Sequence, residues 1–220
     1  MHAGRRRRVY VYVIRTAAWV CVMTAAAGAA ELAPVLRGIE NRYNRAQTLE
    51  VNFEQSYRGQ GRAWKPERGR LLLRKPGRMR WEYSEPPGKL FVTDGKFAWL
   101  YTPATNEVER ARLKQTEDLR APLAFLLGKL DFERDFRRFV WRKEGEDYWV
   151  AAEPKSDRAV YSQIEFRVDP QYRIRQVRIQ GQDRSLMEFR FDNERLNPPL
   201  PESLFQFRPP AGARLIESSL

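Results

Sequence analysis

The sequence predicts a mainly β fold, a curved antiparallel sheet or barrel of about ten or eleven strands with helices laid across it only at the start and in the middle. Three observations carry this. Apolar and polar residues alternate over short runs separated by Pro, Gly and Asp, the period of a half-buried strand. Helical patterns occur in only two places, as apolar residues at helical spacing near the start and as a short, nearly all-apolar run between Pro and Gly in the middle. The single histidine and the single cysteine, His2 and Cys21, both lie within the first thirty residues. Roughly 190 residues beyond them must therefore close one sizeable core by burial alone, a length that suits a single all-β domain.

Leu32, Val35, Leu36, Ile39 and Tyr43 share one helical face, with Arg37, Glu40, Asn41 and Arg42 on the other. They predict an amphipathic helix over residues 32 to 45, weakened slightly by Gly38. The period then changes to two, as Leu49, Val51, Phe53, Gln55 and Tyr57 alternate with Glu50, Asn52, Glu54 and Ser56. After a polar, Gly-containing stretch from 58 to 68, a strand at 69 to 75 ends at Pro76-Gly77. Met79, Trp81 and Tyr83 alternate with Arg80 and Glu82 in the next strand, which Pro86-Pro87-Gly88 stops. Strands at 89 to 93 and 97 to 101 flank Asp94-Gly95, a hairpin signal, and Phe97, Trp99 and Tyr101 fall on one face of the second.

The alternation breaks at Pro122 to Gly128, where Pro stands at a helix start and Gly at a helix end; the short apolar helix between them carries Leu123, Phe125 and Leu126. Asp131 is placed to N-cap a second helical turn. Strands resume at 139 to 142, 148 to 152, 164 to 168, 174 to 180 and 186 to 191, and a short pair at 205 to 207 and 214 to 216 closes a sequential antiparallel order. No internal repeat or interdomain linker divides residues 31 to 220.

The N-terminus reads as an export signal. Arg5, Arg6, Arg7 and Arg8 precede an apolar stretch at 16 to 27, and Ala27-Gly28-Ala29 or Gly28-Ala29-Ala30 offers a cleavage site near residue 30. A retained anchor is the alternative, but Arg15 interrupts the run and leaves far fewer than the roughly 20 apolar residues that a spanning helix needs. Ala18-Trp19-Val20 lacks the small residue a lipobox places before its Cys, so cleavage discards Cys21.

Loss of residues 1 to 30 removes five arginines and no acids, and the net charge falls from +12 to +7. Arg62, Arg68, Arg70, Arg78 and Arg80 lie in turns or on the solvent side of strands, either as a plain solvated face or as an attraction for anionic headgroups or an acidic partner. Export argues against nucleic acid as the partner.

Without His or Cys after residue 30 there is no Ser-His-Asp triad, thiol nucleophile, disulfide or His/Cys zinc site, and no Walker loop, GxSxG elbow or EF-hand pattern occurs. No cofactor or metal is expected. A carboxylate enzyme pairing Glu82 with Asp94 fits poorly, since Glu82 faces outward and turn chemistry explains Asp94. The expectation is a binding protein and not an enzyme.

Several strings then resemble one family. Residues 69 to 83, reading GRLLLRKPGRMRWEY, then Val92-Thr93-Asp94-Gly95-Lys96 and Trp99-Leu100-Tyr101-Thr102-Pro103, are similar to the central strands of the outer-membrane lipoprotein carrier (LolA) family. Phe205-Gln206-Phe207-Arg208-Pro209-Pro210-Ala211-Gly212 resembles its closing Phe-x-Phe-x-Pro-Pro-x-Gly. The likeness spans essentially the whole chain after residue 30, in order.

It implies an open, incomplete antiparallel β-barrel covered by the N-terminal helix and a central helical lid, enclosing an apolar cavity for lipoprotein acyl chains. The implied role is a periplasmic shuttle from an inner-membrane lipoprotein-releasing ABC transporter to an outer-membrane lipoprotein acceptor. Such a carrier is expected to be a monomer in transient contact with membrane surfaces. The family often has Arg just before the Pro that matches Pro76, where it serves lid closure and hand-over. Lys75 stands there here, a point charge without a planar fork, and Arg74 points to the opposite face by alternation.

On this reading Phe53, Met79, Trp81, Tyr83, Trp99 and Tyr101 from strands and Leu36 and Ile39 from the first helix line the cavity, Leu123, Phe125 and Leu126 form the lid, and Lys75 controls release. The same residues could simply fill a solid core. A periplasmic binder of free lipids or glycolipids, and a non-catalytic sensing or interaction module, are the rival functions; uptake of an acyl probe separates the last from the others.

Overall fold

The computed structural model describes residues 20–59, 61–112, 130–157 and 159–217, with side chains from residue 31 onward. Among these, thirteen strands form one sheet. The central strand is β1 (Thr48–Gly59), against which β2 (Arg62–Ala63) folds back. On one side β1 pairs with β3 (Glu67–Arg74), and a meander of β4 (Arg78–Glu85), β5 (Leu90–Asp94), β6 (Phe97–Thr102) and β7 (Glu107–Arg112) runs outward. On the other side it pairs with β12 (Leu186–Leu196), the inner end of a second meander through β11 (Ile174–Gly181), β10 (Tyr161–Val168), β9 (Asp147–Pro154) and β8 (Phe136–Glu144). β13 (Arg214–Glu217) adds to β7 in parallel. β8 and β13 remain the two edges, so the sheet is open.

Its curvature follows from packing. Phe91 in β5 and Phe166 in β10 lie far apart in strand order yet belong to one core, because the sheet curls around helix α1 (Val20–Arg45). Leu32, Val35, Leu36, Ile39 and Tyr43 of α1 are all buried in that core, as the helical spacing requires. Gly38 has a positive reason to be small, since a Cβ there would stand 2.4 Å from the Tyr172 ring, which lies against the helix.

The far end of α1 is bolted down by polar bonds. The Tyr43 hydroxyl donates to Glu194 Oε2 at 2.6 Å and accepts from Ile174 N at 2.9 Å, while Arg42 pairs with the same carboxylate. Asn44 exchanges two bonds with the backbone of Leu130, at 2.8 and 2.7 Å, and Glu40 accepts from Phe132 N at 2.8 Å. The helix thereby holds the chain where it enters α2 (Phe132–Asp135), which Asp131 caps through Arg134 N at 2.9 Å.

The opposite, outer face of the sheet is polar and laced with ion pairs. Arg68 meets Glu54 at 2.8 Å, Arg70 meets Glu82 at 2.7 Å, Arg80 meets Glu82 at 2.6 Å and Arg78 pairs with Glu202. Four of the five arginines singled out in the sequence, Arg68, Arg70, Arg78 and Arg80, are thus paired within the fold. The C-terminal segment crosses this face and seats Leu200, Leu204 and Phe205 over Leu72.

Four expectations change. The first helix starts earlier than residue 32. β7 was not anticipated, because its buried Val108 and Ala111 break strict alternation among Glu and Arg. Residues 205 to 207 are not a strand, for Glu202–Phe205 is a single 3-10 turn and only 214 to 217 pair. The order is not purely sequential either, since β1 joins the two meanders in the middle. The helix expected at 122 to 128 lies outside the described residues.

Candidate functional site

Alternation gives each strand an inner side under α1, and the inner rows are almost wholly apolar. Phe53 in β1, Met79, Trp81 and Tyr83 in β4, and Leu36 and Ile39 from α1 belong to one cluster, each 8% exposed or less. Their rings interlock. Phe53 meets Trp81 edge-on at 4.6 Å between centroids and Tyr83 at 5.1 Å, and Trp81 lies 5.6 Å from Phe189 of β12. The sequence-predicted lining residues on these strands and on α1 are therefore brought together, in a face that is closed over by the helix.

At one end this face opens into a groove of about 690 Å³. Gln55 and Tyr57 continue the inner row of β1 beyond Phe53, Met187 stands opposite Tyr57 on β12, and Trp64, Pro66 and Pro86 complete the walls. The short return of β2 makes this possible. It carries Trp64 back beside Tyr57, with Trp64 N donating to Tyr57 O at 3.0 Å and the rings 6.3 Å apart. Trp64 is 65% exposed, a large apolar surface left in water at the mouth of an apolar interior. A pair at the rim, Lys89 to Glu67 at 2.6 Å, sets the Lys89 ammonium 4.5 Å above the Tyr83 ring.

Trp99 and Tyr101 do not join this site. Phe91 faces the core and opposes Leu100 in the β5 to β6 register, so Ala98 and Leu100 point inward and the aromatic row points out. Trp99 packs 5.6 Å and Tyr101 6.4 Å from Phe207 of the C-terminal segment, and Trp99 Nε1 donates to Asp94 Oδ2 at 3.0 Å. That aromatic row holds the closing segment, and its alternation alone could not say which side of the sheet it served. Leu123, Phe125 and Leu126 lie outside the described residues.

Lys75 follows directly on β3, beneath the last turn of α1. Its Nζ donates to the Tyr43 carbonyl at 2.7 Å, and burial holds its pKa below the ordinary lysine value. Arg74 turns the other way and donates to Leu200 O at 2.7 Å across the outer face. The two basic residues thus reach different elements, and neither is placed to stand in for the other.

Tyr57, Trp64 and Met187 were missed as site residues. Tyr57 was legible as a continuation of the Phe53 row, whereas Trp64 sat in a stretch read as polar loop and only its β2 return gives it a role.

The sequence pattern of the family described as outer membrane lipoprotein carrier protein LolA matches residues 44–208. The chain belongs to the LolA family. An outer-membrane lipoprotein carrier protein of Chromobacterium violaceum is 30% identical over 202 residues, covering 89% of this chain and 96% of the relative. The protein of the same name from Nitrosomonas europaea is 29% identical, covering 84% of this chain and 89% of its own. A crystal structure of a LolA superfamily protein from Nitrosomonas europaea aligns over 79% of this chain and 96% of its own at 10% identity, with a TM-score of 0.45.

The LolA match begins at Asn44, in the last turn of α1, and ends at Arg208, just past the Phe205 and Phe207 pair. It therefore takes in β1 to β12, the groove and Lys75, and leaves the greater part of α1, with Leu36 and Ile39, outside the matched span.

Proposed function

We propose that this LolA-family protein is a periplasmic, monomeric and non-catalytic carrier that holds lipoprotein acyl chains against the inner face of the sheet. In this reading it takes its cargo from an inner-membrane lipoprotein-releasing ABC transporter and delivers it to an outer-membrane acceptor, touching membrane surfaces only in passing. The observation that carries it is the continuity of the apolar inner face with an exposed, Trp64-walled groove.

The energetics favour a carrier that lets go. Burial recovers about 0.8 kcal/mol per methylene, so a chain of about 16 carbons gains roughly 13 kcal/mol in a fully apolar site. Here the inner face is filled by its own side chains and covered by α1, and a ligand must displace them first. That displacement offsets part of the gain, and an acceptor with an emptier cavity can then draw the chain away without ATP. The polar bonds at the C-terminal end of α1 make it the fixed end of a cover whose remaining contacts are apolar. Lys75 is in this reading the residue that keeps the fixed end fixed and so times release.

Export with cleavage near residue 30 completes the proposal. Pro34 lies inside α1, where its missing N–H and ring cost most in a helix interior; cleavage at Ala30 puts it in the first turn, where neither matters.

The test is to add purified protein to spheroplasts loaded with a labelled lipoprotein and look for a soluble one-to-one complex in the supernatant. Its appearance is the expected result. Co-purification with phospholipid and no release of lipoprotein would replace this reading by a free-lipid binder, and failure of both would leave an interaction module.

A further inference from the structure

We propose that the outer face of the sheet, on the side away from α1, carries a binding site for a phosphoryl group. Its ligand does not touch the inner face, so it stands apart from the carrier reading above. Residues of β1, β3, β4 and β8 to β12 line a depression of about 1360 Å³ there, with eight arginines against six carboxylates.

Trp149 lies in this depression. Val150 and Ala152 of β9 face the core, so alternation turns Trp149 to the outer side, yet it is only 3% exposed. Its cover is cationic: the guanidiniums of Arg178, Arg142 and Arg167 stand 4.4, 4.9 and 5.9 Å from its ring. Beneath them Trp149 Nε1 has no hydrogen-bond partner, and neither has Nε2 of Gln176, a residue 6% exposed that lines the same depression. Gln176 lies near Glu188, but its Nε2 is outside hydrogen-bond geometry. Buried polar groups are almost always met, and both of these are donors, so what meets them brings acceptors.

The strand register brings the two donors to one place. Arg167 of β10 is directly opposite Trp149 on β9 and Gln176 on β11, which sets its Cβ about 5 Å from each of theirs on the same face. Arg167 is bonded only through Nε, to Asp147 Oδ2 at 2.7 Å, and its two terminal nitrogens carry no hydrogen bond among the described residues. Arg175 adds a second open fork. It is the extra residue of a bulge between the Arg167–Gln176 and Val168–Ile174 pairs, half-buried, lining the depression and without an ion pair or hydrogen bond among the described residues. Glu165, which meets Arg142 at 2.7 Å and Arg178 at 3.3 Å, steadies those guanidiniums without pairing with Arg175. Two planar forks, an indole N–H and an amide N–H outnumber the two oxygens of a carboxylate. A phosphoryl group spreads three charged oxygens around phosphorus and suits both forks.

The experiment reads the Trp149 indole N–H directly in a proton–nitrogen correlation spectrum, with Trp149→Phe identifying its signal. Inorganic phosphate is expected to move that signal and to leave the Trp81 signal in place, while acetate at equal ionic strength moves neither. Arg175→Gln is expected to weaken the phosphate response about tenfold, the loss of one charge-assisted bond. Gln176→Leu should weaken it as well and fold at least as stably, because it removes an unmet donor. Vesicles of phosphatidic acid in phosphatidylcholine tell the source of the phosphoryl group. Sedimentation with them that Arg175→Gln abolishes gives a lipid headgroup, and a phosphate response without sedimentation gives a soluble phosphate ester. An unmoved indole signal with no Arg175-dependent sedimentation, a shift that acetate reproduces, or a phosphate response that survives both substitutions overturns the proposal and leaves the carrier reading as it stands.

Discussion

The Lys75 ammonium donates to the Tyr43 carbonyl 2.7 Å away, and so ties the end of β3 to the last turn of α1. That carbonyl is one of the last four of the helix and takes a 3.3 Å bond from Ala46 N beside the Lys75 bond, and a cation there also meets the negative end of the helix dipole. Lys75→Leu is expected to fold and to lose about 1 kcal/mol, lowering the melting temperature by roughly 2–4 °C. Its effect on function should be the larger one, with lipoprotein transfer from spheroplasts to acceptor impaired. Lys75→Arg keeps a donor within reach and should transfer cargo. Normal transfer by the Leu variant removes Lys75 from release.

Tyr43 is the second fastener. Its hydroxyl joins Glu194, whose side chain is 6% exposed, to the Ile174 backbone N–H, and both burial and the Glu194 charge push its pKa well above the ordinary tyrosine value. It therefore remains a neutral donor throughout the physiological range. Tyr43→Phe leaves the Ile174 N–H unmet and takes one donor from a buried carboxylate, at a cost of about 2–3 kcal/mol. A fall of roughly 5–10 °C in melting temperature, read by circular dichroism, is expected; an unchanged melting curve would show that water replaces the hydroxyl.

Much of this arrangement could be read from residue patterns, and the failures have physical causes. The row Leu49, Val51, Phe53 and the row Met79, Trp81, Tyr83 were legible as inner faces because polar residues alternate with them. Phe97, Trp99 and Tyr101 alternate just as cleanly, but period two says only that residues share a face and not which face it is. Phe207 decided that, from more than one hundred residues away. Trp64 was opaque for a different reason: a two-residue strand has no period to detect, and its partner Tyr57 is set by the chain's return.

Asp94 gives a pH-dependent test. Desolvation raises its pKa, but bonds from Phe97 N, Trp99 Nε1 and Lys96 N outweigh that and hold it below its ordinary value of 3.8. A carboxyl whose folded pKa is depressed stabilises the fold fully above its unfolded pKa and loses that contribution as pH falls through the folded value. Asp94→Asn should thus lower the melting temperature at pH 7, by an amount equivalent to about 1 kcal/mol, and lower it less near pH 3. An equal loss at both values would mean that the charge of Asp94 contributes nothing.

The two tryptophans on opposite sides of the sheet separate binding from stability. Trp64 is 65% exposed at the groove, so Trp64→Ala should leave the unfolding free energy within about 0.5 kcal/mol and weaken acyl-probe binding about tenfold. Trp99 packs on Phe207 and donates to Asp94 on the outer face, so Trp99→Ala should cost about 2–3 kcal/mol and leave probe affinity alone. Trp81→Glu is a poorer probe of binding, because it buries an unpaired carboxylate at a position with 0% exposure and should unfold the protein. Fluorescence titration with dansylated undecanoic acid and chemical denaturation of the same samples measure both quantities. If Trp99→Ala weakens the probe and Trp64→Ala does not, the ligand lies under the C-terminal segment and the inner face is only a core.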